Sequence, residues 1–337
     1  KGTRRKEILA SLASGDIDII VGTHALIQDE VIFNALTLVI TDEQHRFGVE
    51  QRAKLANKSE FSPDVLVMTA TPIPRTLALT VYGDLDVSVM RGLPPGRKPI
   101  ETLCFTNEKR PEIYAGMLRE VKKGHQAYIV CPLIEESEAF DVNSASDVYE
   151  EISNGYLRGV ACGLLHGRMK ESEKENVMQR FINGSIDVLV ATTVIEVGVN
   201  VPNASLMVIE GADRFGLAQM HQLRGRVGRG NNQSYCVLLT DSDKPETLAR
   251  LKIMHECSDG FILAEKDLEL RGAGQLFGMR QHGLPDLHIA DILHDMDVLL
   301  EARVLAKKTI AEPTMFSDVE IVLKNQFDER FQHVFNL

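Results

Sequence analysis

A parallel α/β fold, with two sheet-bearing domains and a mostly helical C-terminal module, is predicted by three features of the 337 residues. Short runs rich in Val, Ile and Leu alternate with stretches of helical spacing. Most of those runs are near-continuously apolar rather than alternating, which marks strands covered on both faces. One helix–turn–strand unit occurs twice at a fixed offset, and a duplicated α/β domain explains this better than a chance likeness between common βα units.

The candidate strands are Asp16–Thr23, Leu36–Glu43, Asp64–Thr71, Ala127–Ile134, Val160–His166, Ile186–Val194, Ser205–Gly211 and Tyr235–Asp241. Glu108–Lys123 and Glu171–Asn183 carry helical spacing between them, the order expected of a parallel sheet with crossover helices. The repeat aligns Glu7–Thr23 (EILASLASGDIDIIVGT) with Asn176–Thr192 (NVMQRFINGSIDVLVAT), matching Gly15 to Gly184, Asp18 to Asp187 and Thr23 to Thr192. Each copy reads as an amphipathic helix, a glycine stop and a buried strand.

Met90–Pro99 (MRGLPPGRKP) has the Pro and Gly content of an interdomain linker. Glu135–Asn154 holds seven acidic and no basic residues and reads as an exposed loop with some helix. Beyond Asp241 the strand pattern stops, and Pro245–Ser258 and Asp286–Lys308 are spaced as helices. The expected division is therefore 1–96, 97–245 and 246–337.

The composition narrows the function classes. No apolar run approaches the roughly 18 residues that span a bilayer, and no signal peptide opens the chain, so no membrane partner is expected. The cysteines Cys104, Cys131, Cys162, Cys236 and Cys257 are dispersed without a C-x-x-C pair, which argues against zinc or a disulfide framework and fits a reducing cytoplasm. With no Trp, an aromatic base-stacking platform is not evident. The net charge is −11, yet residues 1–100 carry 12 basic and 12 acidic side chains, and the acidity gathers towards the C-terminus. A local basic track for phosphates is compatible with that distribution.

Two motifs carry chemistry. In Val39–His45 (VITDEQH), Asp42 and Glu43 stand at the exit of a buried strand, where α/β folds build their sites. An Asp there suits Mg²⁺ and a Glu suits polarising an attacking water. An acidic helix N-terminus accounts for the pair equally well. In Gln222–Gly230 (QLRGRVGRG), Arg226 and Arg229 stand three apart among Gly225, Gly228 and Gly230. Such guanidinium groups could clamp a triphosphate. A solvated basic turn is the alternative, and arginines clustered in an acidic domain weigh against it.

Taken in order, DEQH, Met68–Arg75 (MTATPIPR), Ala191–Gly198 (ATTVIEVG) and QLRGRVGRG resemble the motif series of a superfamily 2 helicase core. The resemblance narrows to the RecG family on Asp42–Arg52 (DEQHRFGVEQR), Met68–Ala78 (MTATPIPRTLA), Leu93–Pro99 (LPPGRKP), His166–Lys170 (HGRMK) and Lys266–Gly283 (KDLELRGAGQLFGMRQHG). It covers Lys1 to about Lys308. The family implies two RecA-like motor domains, the first truncated here, that use ATP and Mg²⁺ to work on branched or forked DNA as a monomer in the bacterial cytoplasm. A single-strand-binding protein at forks is a candidate partner.

The same resemblance implies residue roles. Asp42 would bind Mg²⁺, Glu43 would activate water and His45 would couple nucleotide state to DNA. Gln222 and Arg226 would contact phosphates, with Arg229 as the arginine finger. Thr23, His24, Thr192 and Thr193 would lie near DNA phosphates, and Thr69 and Thr71 belong to the Thr-Ala-Thr coupling motif. Arg271, Gln281 and the glycines Gly272, Gly274 and Gly278 would form the element that turns domain closure into translocation, a Gly-spaced stretch that needs backbone freedom. Asn200 departs from the family, which more often has Asp there.

No G-x-x-x-x-G-K-[ST] phosphate loop occurs in the chain. That loop and a junction-holding wedge domain are expected before Lys1, and the chain alone is expected to be inactive. A transcription-repair coupling type of translocase and a non-catalytic DNA-binding scaffold are the competing readings.

Overall fold

The computed structural model describes residues 2–42, 63–69, 86–90, 92, 94, 96–132, 138–193, 200–271, 295–312, 316–317, 319 and 321. The chain divides into two compact units, Lys1–Pro72 and Ile73–Leu337, so the division falls before the Pro/Gly-rich stretch at Met90–Pro99.

In the first unit, helix α1 (Gly2–Ser14) is followed by strands β1 (Leu38–Thr41) and β2 (Asp64–Val67), which pair in parallel with Thr41 opposite Val67. The helix ends at Gly15, with φ of 86°, where Asp16 N donates to Ser11 O (2.9 Å). Its repeat ends the same way at Gly184, with φ of 76°, where Ser185 N donates to Arg180 O (2.8 Å). Helix and stop are thus duplicated in geometry as well as in sequence.

The strand halves of the repeat differ. The expected strand Asp16–Thr23 pairs with no strand among the described residues, and Ile19 and Val21 stand 83% and 92% exposed. Its counterpart, β6 (Val188–Ala191), is wholly buried between two parallel neighbours. The sequences are alike; the neighbours that complete a ladder are not. Likewise β1 and β2 keep Leu38, Ile40 and Leu66 largely exposed, against the expectation of strands covered on both faces.

The second unit is built on a six-stranded sheet, every paired neighbour parallel, in the order β3-β8-β7-β4-β6-β5. The strands are β3 (Glu101–Phe105), β4 (Gln126–Val130), β5 (Cys162–Leu165), β6, β7 (Ala204–Ile209) and β8 (Tyr235–Leu239). Seven of the eight strands among the described residues lie inside the ranges expected from sequence or within one residue of them. The exception is β3, missed because Glu-Thr-Leu-Cys-Phe is half polar: it is an edge strand, paired only with β8.

Helices cover both faces. One core gathers Tyr114 and Met117 of α2 (Arg110–Lys122) with Ala145 of α3 (Glu138–Glu151) and Ile152. The other gathers Phe181 of α4 (Glu171–Ile182) with residues of α5 (Leu217–Arg224), α6 (Pro245–Glu256) and α7 (Gly260–Arg271). Tyr128 and Phe181 meet edge to face at 4.9 Å in this second core. A further helix, α8 (Met296–Ala311), overlaps the expected C-terminal helical pattern.

Glu135–Asn154 corrects an expectation. Most of it is helix α3, continued by a π-helical turn at Ile152–Tyr156. Ala145, Val148, Tyr149 and Ile152 recur at i, i+3, i+4 and i+7 and face the core. The acidic residues obscured that apolar stripe.

Buried Gln126 fastens the α4–β6 connection to β4. Its Nε2 donates to Phe181 O (2.6 Å) and Ile186 O (2.7 Å). Gln126→Leu keeps similar volume and strands both carbonyls, so it is expected to destabilise the chain by about 2–4 kcal/mol in urea unfolding, against well under 1 kcal/mol for an exposed polar residue.

Candidate functional site

The carboxyl edge of a parallel sheet is where α/β folds bind ligands, because loops and helix N-termini converge there. In the first unit Asp42 directly succeeds β1 and Thr69 lies two residues beyond β2, so parallel pairing brings both to one strand edge, each exposed. Thr23 N-caps the 3₁₀ turn His24–Ile27, its hydroxyl oxygen accepting from Ala25 N (3.5 Å). Beside that turn lies a groove of about 340 Å³ lined by the apolar residues Ile8, Leu9, Ile20, Leu26 and Val31 together with Arg4 and Arg5.

In the second unit β5 and β6 pair with Leu165 opposite Ala191, so His166 and Thr192 leave adjacent strands together. Thr192 is 1% exposed and its Oγ1 has no hydrogen-bond partner among the described residues; the same holds for His166 Nδ1. Burial, then the cations Arg168 and Lys174, push the His166 pKa down. Thr193 comes next, half-buried. This edge therefore offers two unsatisfied polar groups beside two positive charges. Thr192 and Thr193 were expected from the sequence, whereas His166 was legible only as part of HGRMK.

The arginine motif lies elsewhere in the unit. Helix α5 turns Leu217, Met220, Leu223 and Arg224 into the core and leaves Gln222 half-buried. Gly225 caps it, its N–H bonded to His221 O (3.0 Å), and the loop after it is packed against the body of the unit. A Cβ at Gly230 would stand 2.5 Å from Pro202 O, so only glycine permits that approach.

The loop presents Arg226 and Arg229. Arg229 Nε donates to Gly225 O (3.2 Å) and Nη1 to Asn200 Oδ1 (3.4 Å). Burial, then Arg226 and Arg97, hold its pKa below the ordinary arginine value, though it remains charged. Burial also pushes the Tyr128 hydroxyl up to about 12 despite the opposing pull of Arg226 and Arg229. Mutually repelling guanidinium groups gathered on a fixed loop suit a polyanion, which would relieve the repulsion and take bidentate hydrogen bonds.

Arg224, which the sequence did not single out, fixes the loop from behind. It is 4% exposed and donates to Thr102 Oγ1 (3.1 Å), Met254 O (2.9 Å) and Cys257 O (2.9 Å). Its Nη2 also meets His221 Nδ1 at 3.1 Å. An arginine can only donate, so Nδ1 accepts and the His221 proton sits on Nε2. Arg224 stands among the arginines of QLRGR, but no feature of the sequence marks it as the inward-facing one.

Known proteins place this architecture. Three family descriptions match: DEAD/DEAH box helicase over residues 1–80, helicase conserved C-terminal domain over 108–231, and ATP-dependent DNA helicase RecG, domain 3, C-terminal, over 257–331. The chain is 56% identical over 320 residues to the ATP-dependent DNA helicase RecG of Bacillus subtilis, covering 95% of this chain and 47% of that protein. With its counterpart from Streptococcus pneumoniae it is 52% identical over 306 residues, covering 91% and 46%. The chain belongs to the RecG family. A solved structure of RecG bound to a three-way DNA junction aligns with a TM-score of 0.68 and 45% identity, over 89% of this chain and 38% of that one. The chain thus spans about half the length of the curated RecG relatives it matches.

Several positions that the RecG motifs pick out, Glu43, His45, Thr71, Gly272, Gly274, Gly278 and Gln281, lie outside the described residues. Lys266–Arg271 is the last part of α7, and the Gly-spaced stretch that follows it lies outside the described residues.

Burial, then the adjacent Arg224 charge, push the His221 pKa down to about 4. The unfolded chain binds a proton near the ordinary value of 6.5 that the folded chain refuses, so the contribution of neutral His221 is complete above pH 6.5 and is lost as pH falls towards 4. Urea unfolding should show about 2–3 kcal/mol of pH-dependent stability in that window, which His221→Leu flattens. An unchanged pH slope in the variant would place the proton uptake elsewhere.

Proposed function

We propose that this chain supplies the motor portion of an ATP-dependent DNA helicase that remodels stalled replication forks and branched recombination junctions. The observation that carries this is the 56% identity, along nearly the whole chain, to an ATP-dependent DNA helicase RecG. The RecG structure on a three-way junction supports branched DNA as the substrate. Residues 1–96 are the C-terminal half of the first RecA-like motor domain, 97–245 the second, and 246–337 the translocation module.

The donor set fits a nucleotide polyphosphate. Arg229 and Arg226 are cations on a rigid loop, and the groups that perturb Arg229 include the further cation Arg97 and no carboxylate. Gln222 and Arg226 hold phosphate oxygens, and Arg229 stabilises the charge that develops as the terminal phosphoryl group departs. Asp42 holds Mg²⁺, Glu43 orients the attacking water and His45 links the nucleotide to DNA. Mg²⁺, when bound with ATP, would neutralise charge on the phosphates, and hydrolysis of ATP would supply the free energy for strand separation. Thr23, His24, Thr192 and Thr193 serve the DNA backbone, Thr69 and Thr71 couple the motor halves, and Arg271 and Gln281 pass closure to the duplex.

In a full-length RecG-family protein carrying this chain, Arg229→Ala should lower kcat about 10³-fold or more while ATP binding changes only a few-fold. Equal losses in affinity and kcat/KM with kcat intact would assign Arg229 to ground-state binding. The chain alone, which contains no phosphate loop, is expected to show no DNA-stimulated ATPase in a phosphate-release assay. Turnover above background that disappears in Asp42→Asn would contradict this.

A further inference from the structure

A third guanidinium group stands at the arginine loop, and it comes from a different segment. Arg97 belongs to the Pro/Gly-rich stretch ahead of β3. Burial, then Arg226 and Arg97, hold the Arg229 pKa down, so Arg97 lies within charge range of Arg229. Its backbone is fixed on both sides. Before it, Gly96 at φ of 84° closes a turn in which Arg97 N donates to Pro94 O (3.2 Å). After it, the chain is tied to the arginine loop: Gln233 Nε2 donates to Pro99 O (3.0 Å), and Glu101 N to Ser234 O (3.0 Å).

Ile100 sets the spacing. A Cβ at Gly228, between Arg226 and Arg229, would stand 2.9 Å from Ile100 Cγ1, so Ile100 packs where the glycine leaves room. Three residues span at most about 10 Å, which keeps Arg97 beside that contact. Arg97 is half-buried, so solvent screens its repulsion from the other two cations only in part. A turn and two interstrand ties that keep a third positive charge there suit a ligand carrying several negative charges.

We propose that Arg97 is a phosphate-binding residue that joins Arg226 and Arg229 in holding the nucleotide polyphosphate. The inference rests on the reading of the arginine loop as phosphate-facing. Removing Arg97 from the ligand-free protein relieves repulsion, whereas removing it from the complex leaves a phosphate charge less well met. The two states therefore respond in opposite directions. A structural arginine would weaken both.

Arg97→Ala and Arg97→Lys in a full-length RecG-family protein carrying this chain test the assignment. Binding of a fluorescent ATP analogue, and its displacement by inorganic tripolyphosphate, are followed without DNA. Arg97→Ala is expected to weaken both anions about tenfold, the size of one lost charge-assisted hydrogen bond at a partly exposed site. Arg97→Lys should weaken them less, since the charge remains. Without nucleotide, the unfolding midpoint of Arg97→Ala should stay level or rise, and the further rise on adding ATP should shrink. A lower midpoint without nucleotide, or affinities for both anions within twofold of the natural protein, overturns the proposal. Weaker binding of a synthetic three-way junction with both anion affinities unchanged overturns it in favour of a DNA contact. Phenylglyoxal labelling of the natural protein, followed peptide by peptide in mass spectrometry, separates this from the reading of the loop itself. Tripolyphosphate should slow labelling at Arg97, Arg226 and Arg229 alike. Protection of Arg226 and Arg229 without Arg97 overturns the role of Arg97 alone, and protection of none overturns the phosphate-facing loop.

Discussion

Much of the second unit depends on one buried charge. Arg224 enters the core, and its hydrogen bonds go chiefly to backbone carbonyls at and just beyond the C-terminal end of α6. Carbonyls at a helix end carry partial negative charge and otherwise lack donors, so the guanidinium satisfies them while they stabilise it. It also reaches Thr102 on the edge strand β3 and His221 one turn back on α5. A single side chain thereby ties the arginine loop, the sheet edge and the helical pair α6–α7 into one body. Burial and the neighbouring Arg224 charge depress the His221 pKa, which keeps the imidazole neutral and able to accept.

The same unit separates two kinds of chemistry. At the carboxyl edge, His166 and Thr192 bring unsatisfied polar atoms to the ends of adjacent strands beside Arg168 and Lys174. On the arginine loop, Arg226 and Arg229 gather charge against a backbone that glycine allows to pack closely. The sheet domain thus carries two separate regions whose charge and hydrogen-bonding groups suit anions.

Within the fold, legibility tracked burial. β4, β6 and β7 are buried along their length, so their Val, Ile and Met runs announced them. β3 is an edge strand with a buried Thr102 and an exposed Phe105, a pattern the apolar signal does not detect. α3 was obscured by its acidic face, though Ala145, Val148, Tyr149 and Ile152 had the correct spacing. The repeat was accurate for helix and stop and misleading for the strand, because a ladder needs partners that the segment after Gly15 does not have among the described residues.

The sequence by itself determined the parallel α/β class, the order of the helicase motifs and the RecG family, because apolar periodicity and motif spacing are local properties of the chain. It also singled out Arg226 and Arg229 by their glycine setting. Only the tertiary structure decided which arginine of QLRGR points inward, that Asn200 meets Arg229, and that His166 stands beside Thr192. Those facts join residues 29, 30 and 26 positions apart, and in the case of Arg224 and Thr102 as many as 122. Side-chain direction and long-range pairing depend on how helices dock on a sheet, and no local pattern encodes that docking.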